Sequence, residues 1–129
     1  MLLVGLNDAT ESTAQVFDPN TQTFTATGAP TSFTPGSHSL TLLRNGRVLV
    51  YGGCPCGSIG GPIISSNAAE VWDASLAGGT GAFQATGNGT LGRLGHTATL
   101  LPDGNVLILG ALDATGASSA ELYDLQRRC

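Results

Sequence analysis

Apolar residues along this chain come in short runs separated by turn-forming residues. Leu40 to Leu43 and Val48 to Tyr51 are β-favouring runs on either side of Arg-Asn-Gly-Arg. Leu100-Leu101 and Val106 to Leu109 flank Pro-Asp-Gly-Asn in the same way. Asn-Gly and Asp-Gly tolerate the positive φ of a tight turn, so each pair predicts a β-hairpin. After Asp18, the residues Pro-Asn-Thr-Gln separate AQVFD from Thr23 to Thr27 and predict a third hairpin, with Pro fixing φ and Asn tolerating unusual dihedrals. Apolar side chains fall on both faces of these strands, as with Val16 beside Phe17 or Leu49 beside Val50. A sheet wetted on one face alternates more cleanly, so these sheets are expected to be covered on both sides.

The pattern repeats. AQVFD (Ala14 to Asp18), AEVWD (Ala69 to Asp73) and AELYD (Ala120 to Asp124) are three copies of one strand. SHSLTLLRNGRVLVYGG from Ser37 to Gly53 recurs as GHTATLLPDGNVLILGA from Gly95 to Ala111, and its tail matches the opening MLLVGL. FTATG (Phe24 to Gly28) recurs as FQATG (Phe83 to Gly87). Equivalent residues are 55 and 51 positions apart for Asp18, Asp73 and Asp124, and 58 apart for His38 and His96. Repeats of about 50 residues holding several short strands indicate propeller blades rather than a helical solenoid.

The fold expected is therefore all-β: a partial β-propeller of about two and a half four-stranded antiparallel blades. Residues 1–28 are expected to supply strands 2 to 4 of a first blade. Residues 37–87 supply a complete blade, and residues 95–129 strands 1 to 3 of a third. A ring takes roughly 4 to 8 blades, so the chain is not expected to close one alone and reads as a fragment of a longer propeller. Met1 stands where other copies have a mid-blade Val, and AELYD runs into Leu-Gln-Arg-Arg-Cys where the first copy has Pro-Asn-Thr-Gln.

The unit GHTATLLPDG-x-VL-x-x-GG, a variable loop, A-E-x-aromatic-D and F-x-ATG resembles the Kelch repeat in its bacterial form. Its best matches are Gly52 and Gly53, the aromatics Phe17, Trp72 and Tyr123, and Phe24 and Phe83 where many Kelch units carry Trp. The double glycine is replaced by Gly5-Leu6 in the first copy and Gly110-Ala111 in the third. The resemblance implies four-stranded blades with the GHTATLL strand innermost, a platform for ligands or proteins, and an extracellular setting. A similar propeller forms the body of copper-radical oxidases such as galactose oxidase.

Composition narrows the partners. Charged residues make up only 11% of the chain and its net charge of -4 is spread out, so no basic cluster exists to neutralise a row of phosphates, and nucleic acid is not an expected partner. No apolar run approaches the roughly 18 residues of a membrane span. MLLVGLND lacks a basic region and a cleavage site, and reads as a strand rather than a signal peptide. Cys54, Cys56 and Cys129 give an odd count, and Cys54-Pro55-Cys56 is too tight for an ordinary bridge.

His38 and His96 occupy one slot in successive repeats, which points to packing and hydrogen bonding rather than copper binding or general-base work. Asp18, Asp73 and Asp124 each end a strand before a turn, where a carboxylate accepts backbone N–H groups. Tyr51 and Tyr123 fall at different strand positions, and nothing places a cysteine beside either. The two thiols of Cys54 and Cys56 fall short of a four-ligand zinc site. Non-repeating sequence accumulates in CPCGSIGGPIISSN, which opens at Cys54, and in Ala74 to Gly81, so bound ligands are sought there first. Asn88-Gly89-Thr90 fits the glycosylation pattern. No catalytic, cofactor-binding or metal-ligating residue is assigned. The function expected is a non-enzymatic binding or protein-interaction scaffold for a protein or carbohydrate, with self-association through open blade faces. The alternatives are the propeller portion of a copper-radical oxidase and a non-functional gene remnant.

Overall fold

The computed structural model describes residues 1–6, 12–31, 36–54, 65–110 and 119–124. They form ten strands: β1 (Leu2–Leu6), β2 (Ser12–Asp18), β3 (Thr23–Ala26), β4 (Ser39–Leu42), β5 (Val48–Tyr51), β6 (Ala69–Asp73), β7 (Ala82–Ala85), β8 (Thr97–Leu100), β9 (Val106–Leu109) and β10 (Ala120–Tyr123). Neighbours pair antiparallel into three sheets, ordered β1-β2-β3, β4-β5-β6-β7 and β8-β9-β10. Each sheet is a blade, and the three form part of a β-propeller. Among the described residues no helix is long and apolar enough to cross a membrane.

The hairpins follow from local chemistry, with two refinements. Between β4 and β5, Gly46 alone takes positive φ (82°). Its N–H bonds the Leu43 carbonyl, while the Leu43 N–H bonds the Arg47 carbonyl. That is a three-residue connection with glycine in the left-handed position, not the two-residue turn that needs positive φ at both centres. Gly104 (φ 94°) repeats it between β8 and β9. In the turn after β2, Gln22 rather than Asn20 carries the positive φ (55°). Asn20 instead donates its N–H to Asp18 Oδ1 at 2.8 Å, so the Asp closes the turn.

Register sorts the middle sheet into two faces. Val50 pairs with Glu70, and Trp72 with Phe83, on the side toward the first sheet. Thr41, Leu49 and Val71 are aligned on the opposite side, with Tyr51 and Ala69, toward the third sheet. All five residues of β6 are buried, as a doubly covered sheet requires. Leu49, Tyr51, Ala69 and Val71 join Val106, Ile108 and Tyr123 in the main core, against which Ala98 and Leu100 pack. Val50, Ala68 and Phe83 form a smaller core on the other face.

Gly52 and Gly53, which leave β5, lie between two blades. They have φ of 70° and 100°. A Cβ on Gly52 would sit 2.6 Å from both the Arg93 carbonyl and His96 Cε1, and one on Gly53 would sit 2.7 Å from the Gly36 carbonyl. Gly52 is thus where the lead-in to β8 passes against the end of β5, and Gly53 where the lead-in to β4 does.

Candidate functional site

The densest polar cluster lies where the second and third blades meet. Arg93, in the segment joining them, is 1% exposed. Its Nε contacts Glu121 Oε2 at 2.9 Å, its Nη1 donates to the carbonyls of Gly110 and Ser119, and its Nη2 donates to Ser119 Oγ. Glu121 Oε1 accepts the Thr90 hydroxyl at 2.6 Å and the Thr90 N–H, and Oε2 also accepts the Tyr51 hydroxyl at 3.0 Å. Burial pushes the Glu121 carboxyl upward, but the Thr90 donors, Arg93 and Tyr51 outweigh it and hold it at about 2. Burial and the Glu121 charge drive the Tyr51 phenol far above its ordinary value. An ionised Glu121 and a neutral Tyr51 are the stable pair.

The preceding seam is a variant of the same design. Glu70, fully buried, accepts the Thr31 N–H with both oxygens at 3.1 Å and the Thr31 hydroxyl at 2.6 Å. A second coupling runs along the outer strands. Trp72 Nε1 donates to Thr27 Oγ1 at 3.0 Å, and that hydroxyl donates to the Gly81 carbonyl. One blade later, Thr86 Oγ1 and Tyr123 Oη share a bond of 2.6 Å. In both seams the threonine of ATG reaches the polar tip of the next blade's aromatic. Within the middle blade, Asp73 accepts the Ser75 hydroxyl and N–H through Oδ1 and pairs with Arg47 Nε at 2.8 Å through Oδ2. The Ser75 hydroxyl, then its N–H, holds the Asp73 carboxyl below its ordinary value.

The histidines belong to these seams. His96 Nε2 and Ser39 Oγ share a 2.8 Å hydrogen bond between successive innermost strands. The His96 ring stands edge-on to Tyr51, with centroids 5.4 Å apart. Burial, then the Arg93 charge, lowers its pKa, opposed by the facing Tyr51 carbonyl. Burial also lowers that of His38, beside Gly53. Cys54 is buried and disulfide-bonded, so it is no free thiolate for a metal. Cys56, Cys129 and residues 55–64 of the insertion lie outside the described residues. In Ala74 to Gly81, Ala77–Gly79 form a short 3-10 turn. Asn88 is exposed and lies with Thr90, Glu121 and Tyr51 at a cleft of about 340 Å³ between blades two and three.

Arg93, Glu70 and Glu121 were not singled out by sequence reasoning. Their signal was present: Glu recurs second in AEVWD and AELYD, and Thr stands three residues after the glycine of ATG at both Thr31 and Thr90. Arg93 has no such periodic signal.

No protein-family model and no curated protein sequence matches the chain. Among solved structures it is similar to a fungal alcohol oxidase of the AA5 family in complex with copper, with a TM-score of 0.69 and 13% identity. The match covers 99% of this chain and 26% of that one, so the chain spans about a quarter of the oxidase's length. At this identity the likeness establishes the fold. It also corrects the expectation of a non-enzymatic module: this arrangement of blades occurs as a segment of an enzyme. The physical reason is that blades are held together by packing and seam hydrogen bonds, so a segment without catalytic motifs says nothing of chemistry carried elsewhere in the polypeptide.

The described residues do not themselves fit a copper centre. No group of three or more His, Cys, Asp or Glu gathers among them. His96 Nε2 is engaged by Ser39, and the phenols of Tyr51 and Tyr123 are engaged by Glu121 and Thr86.

Proposed function

We propose that this chain is the propeller portion of a copper-radical alcohol oxidase, built from Kelch-type repeats. The observation that carries this reading is the superposition of nearly the whole chain on about a quarter of a copper-containing alcohol oxidase. The seams support it, because Glu70 and Glu121 tie each connecting segment to the blade it enters and give a rigid body on which loops can be held. Among the described residues, His96 and the phenols of Tyr51 and Tyr123 serve the seams in this reading.

The test is made on the longer polypeptide encoded at the locus. It is expected to bind copper, to contain a tyrosine–cysteine thioether detectable by peptide mass spectrometry, and to convert primary alcohols to aldehydes while reducing dioxygen to hydrogen peroxide. A copper-treated polypeptide with neither the thioether nor peroxide formation across a panel of alcohols would overturn the reading.

A further inference from the structure

Asn88-Gly89-Thr90 is the one N-x-Ser/Thr triplet in the chain. It lies just past β7, on the segment that leads into the third blade. The fold accounts for two of its three residues. A Cβ on Gly89 would collide with the Tyr51 hydroxyl, so only glycine fits there. The Thr90 hydroxyl and N–H donate to Glu121, the role that Thr31 plays toward Glu70 one repeat earlier. Asn88 has no such account. Its φ is not positive, so no left-handed turn position calls for it. Among the described residues its side-chain amide has no hydrogen-bond partner.

The exposure of Asn88 does not depend on where the sequence stops. ATGAPT (26–31) aligns with ATGNGT (85–90), which makes Ala29 the equivalent of Asn88. Ala29 is exposed although the complete second blade lies beside it, with the Gly28 N–H bonded to the Gly81 carbonyl just before β7. Asn88, exposed as well, therefore stays open when a fourth strand flanks β10. The route through the cell is indicated separately. Cys54 is buried and disulfide-bonded, and such a bond forms and persists in the secretory lumen or outside the cell. Asparagine in this triplet is glycosylated along that same route.

We propose that Asn88 carries an N-linked glycan, attached before the third blade docks on the second. The donor is an oligosaccharide linked to a lipid diphosphate. Asn88 Nδ2 bonds to the anomeric carbon and loses one proton, while the bond from that carbon to the diphosphate oxygen breaks and the lipid diphosphate leaves. The timing follows from the fold. Gly89 is held by two bonds to Asn67, its N–H to the carbonyl and its carbonyl to Nδ2, both at 2.9 Å. Glu121 holds the Thr90 hydroxyl at 2.6 Å. A transferase that reads this hydroxyl finds it free only until Glu121, 31 residues further along the chain, has been made and has docked. The proposal goes beyond the oxidase reading and stands independently of it.

The test directs the full chain into the secretory route of a yeast behind a cleavable leader and analyses all leader-cleaved chain, retained and secreted alike, by peptide mass spectrometry. Release with peptide-N-glycosidase in heavy-oxygen water labels a formerly glycosylated Asn88 and distinguishes it from spontaneous deamidation at Asn88-Gly89. One glycan at residue 88 is expected in the wild type and none in Asn88→Gln. For the timing, unglycosylated folded chain is offered to the transferase and the lipid-linked donor in vitro. Glu121→Gln, which opens the seam more often, should be modified about tenfold faster than the wild type or more. An unmodified Asn88 in the leader-cleaved wild type would overturn the site. Equal rates for the folded wild type and Glu121→Gln would overturn the order of events.

Discussion

Glu121→Gln is the most informative single substitution, because it keeps the shape of the side chain while removing the charge that Arg93, Thr90 and Tyr51 surround. The carboxylate uses both oxygens to accept four hydrogen bonds. An amide has one acceptor oxygen, and its NH2 would face donors. Arg93, 1% exposed, would keep its bonds to Gly110 and Ser119 but lose its counter-charge. Two routes give the magnitude. Holding the carboxyl at about 2 against an ordinary 4.5 corresponds to about 3 kcal/mol at 1.36 kcal/mol per pH unit. Removing one partner of a buried ion pair costs about 3 to 5 kcal/mol, and the lower end suits a glutamate that retains some exposure. The sign of the pH effect follows from the depressed value: the stabilisation is complete above about pH 4.5 and is lost as pH falls toward 2. The lowered histidines act at higher pH: partial burial disfavours the charged forms of His38 and His96, so stability falls as pH drops below 6.5. Urea unfolding of the wild type and Glu121→Gln at pH 7, 5, 4 and 3 separates the two. The variant should be about 3 kcal/mol less stable at pH 7 and should lack the wild type's loss below pH 4.5, while keeping the loss near pH 6. A variant within about 0.5 kcal/mol of wild type at pH 7, the range of an ordinary surface change, would show that Glu121 does not hold the seam.

Two further substitutions probe the seams. Gly52→Ala adds backbone strain and a Cβ at 2.6 Å from the Arg93 carbonyl, and should cost about 3 kcal/mol or more in thermal or urea unfolding. Gly46→Ala, with similar φ but nothing within 4 Å, should cost only about 1 kcal/mol; equal effects would show that the close approach is unimportant. Thr27→Val leaves the Trp72 indole N–H without its acceptor and removes one of the two donors to the Gly81 carbonyl, the Gly28 N–H remaining, and should destabilise the fold by about 1 to 2 kcal/mol. Because Trp72 is the single tryptophan and is buried, its emission reports that seam directly, and an unchanged transition would count against the coupling.

Much of the fold was legible because it is local and repeated. Short apolar runs, the glycine turns at Gly46 and Gly104, and three copies of A-x-x-aromatic-D mark the short strands and their hairpins, since each hairpin is closed by residues a few positions apart. The recurrence of His38 and His96 likewise marked them as parts of the repeat. What sequence could not specify were interactions spanning one blade and the next. Glu121 draws on Thr90, Arg93 and Tyr51, which lie 31, 28 and 70 residues away. The value of a carboxylate there depends on burial and donors that exist only after the blades stack. The same limit explains why catalytic-motif reading misjudged the chain's relation to enzymes, since a propeller segment spends its reactive side chains on its seams. The sequence by itself determined the strands, their turns and their period, through backbone preference and hydrophobic pattern. Only the tertiary structure decided which polar groups meet, which apolar faces are covered and which stand open, because those outcomes depend on how whole sheets are placed against one another.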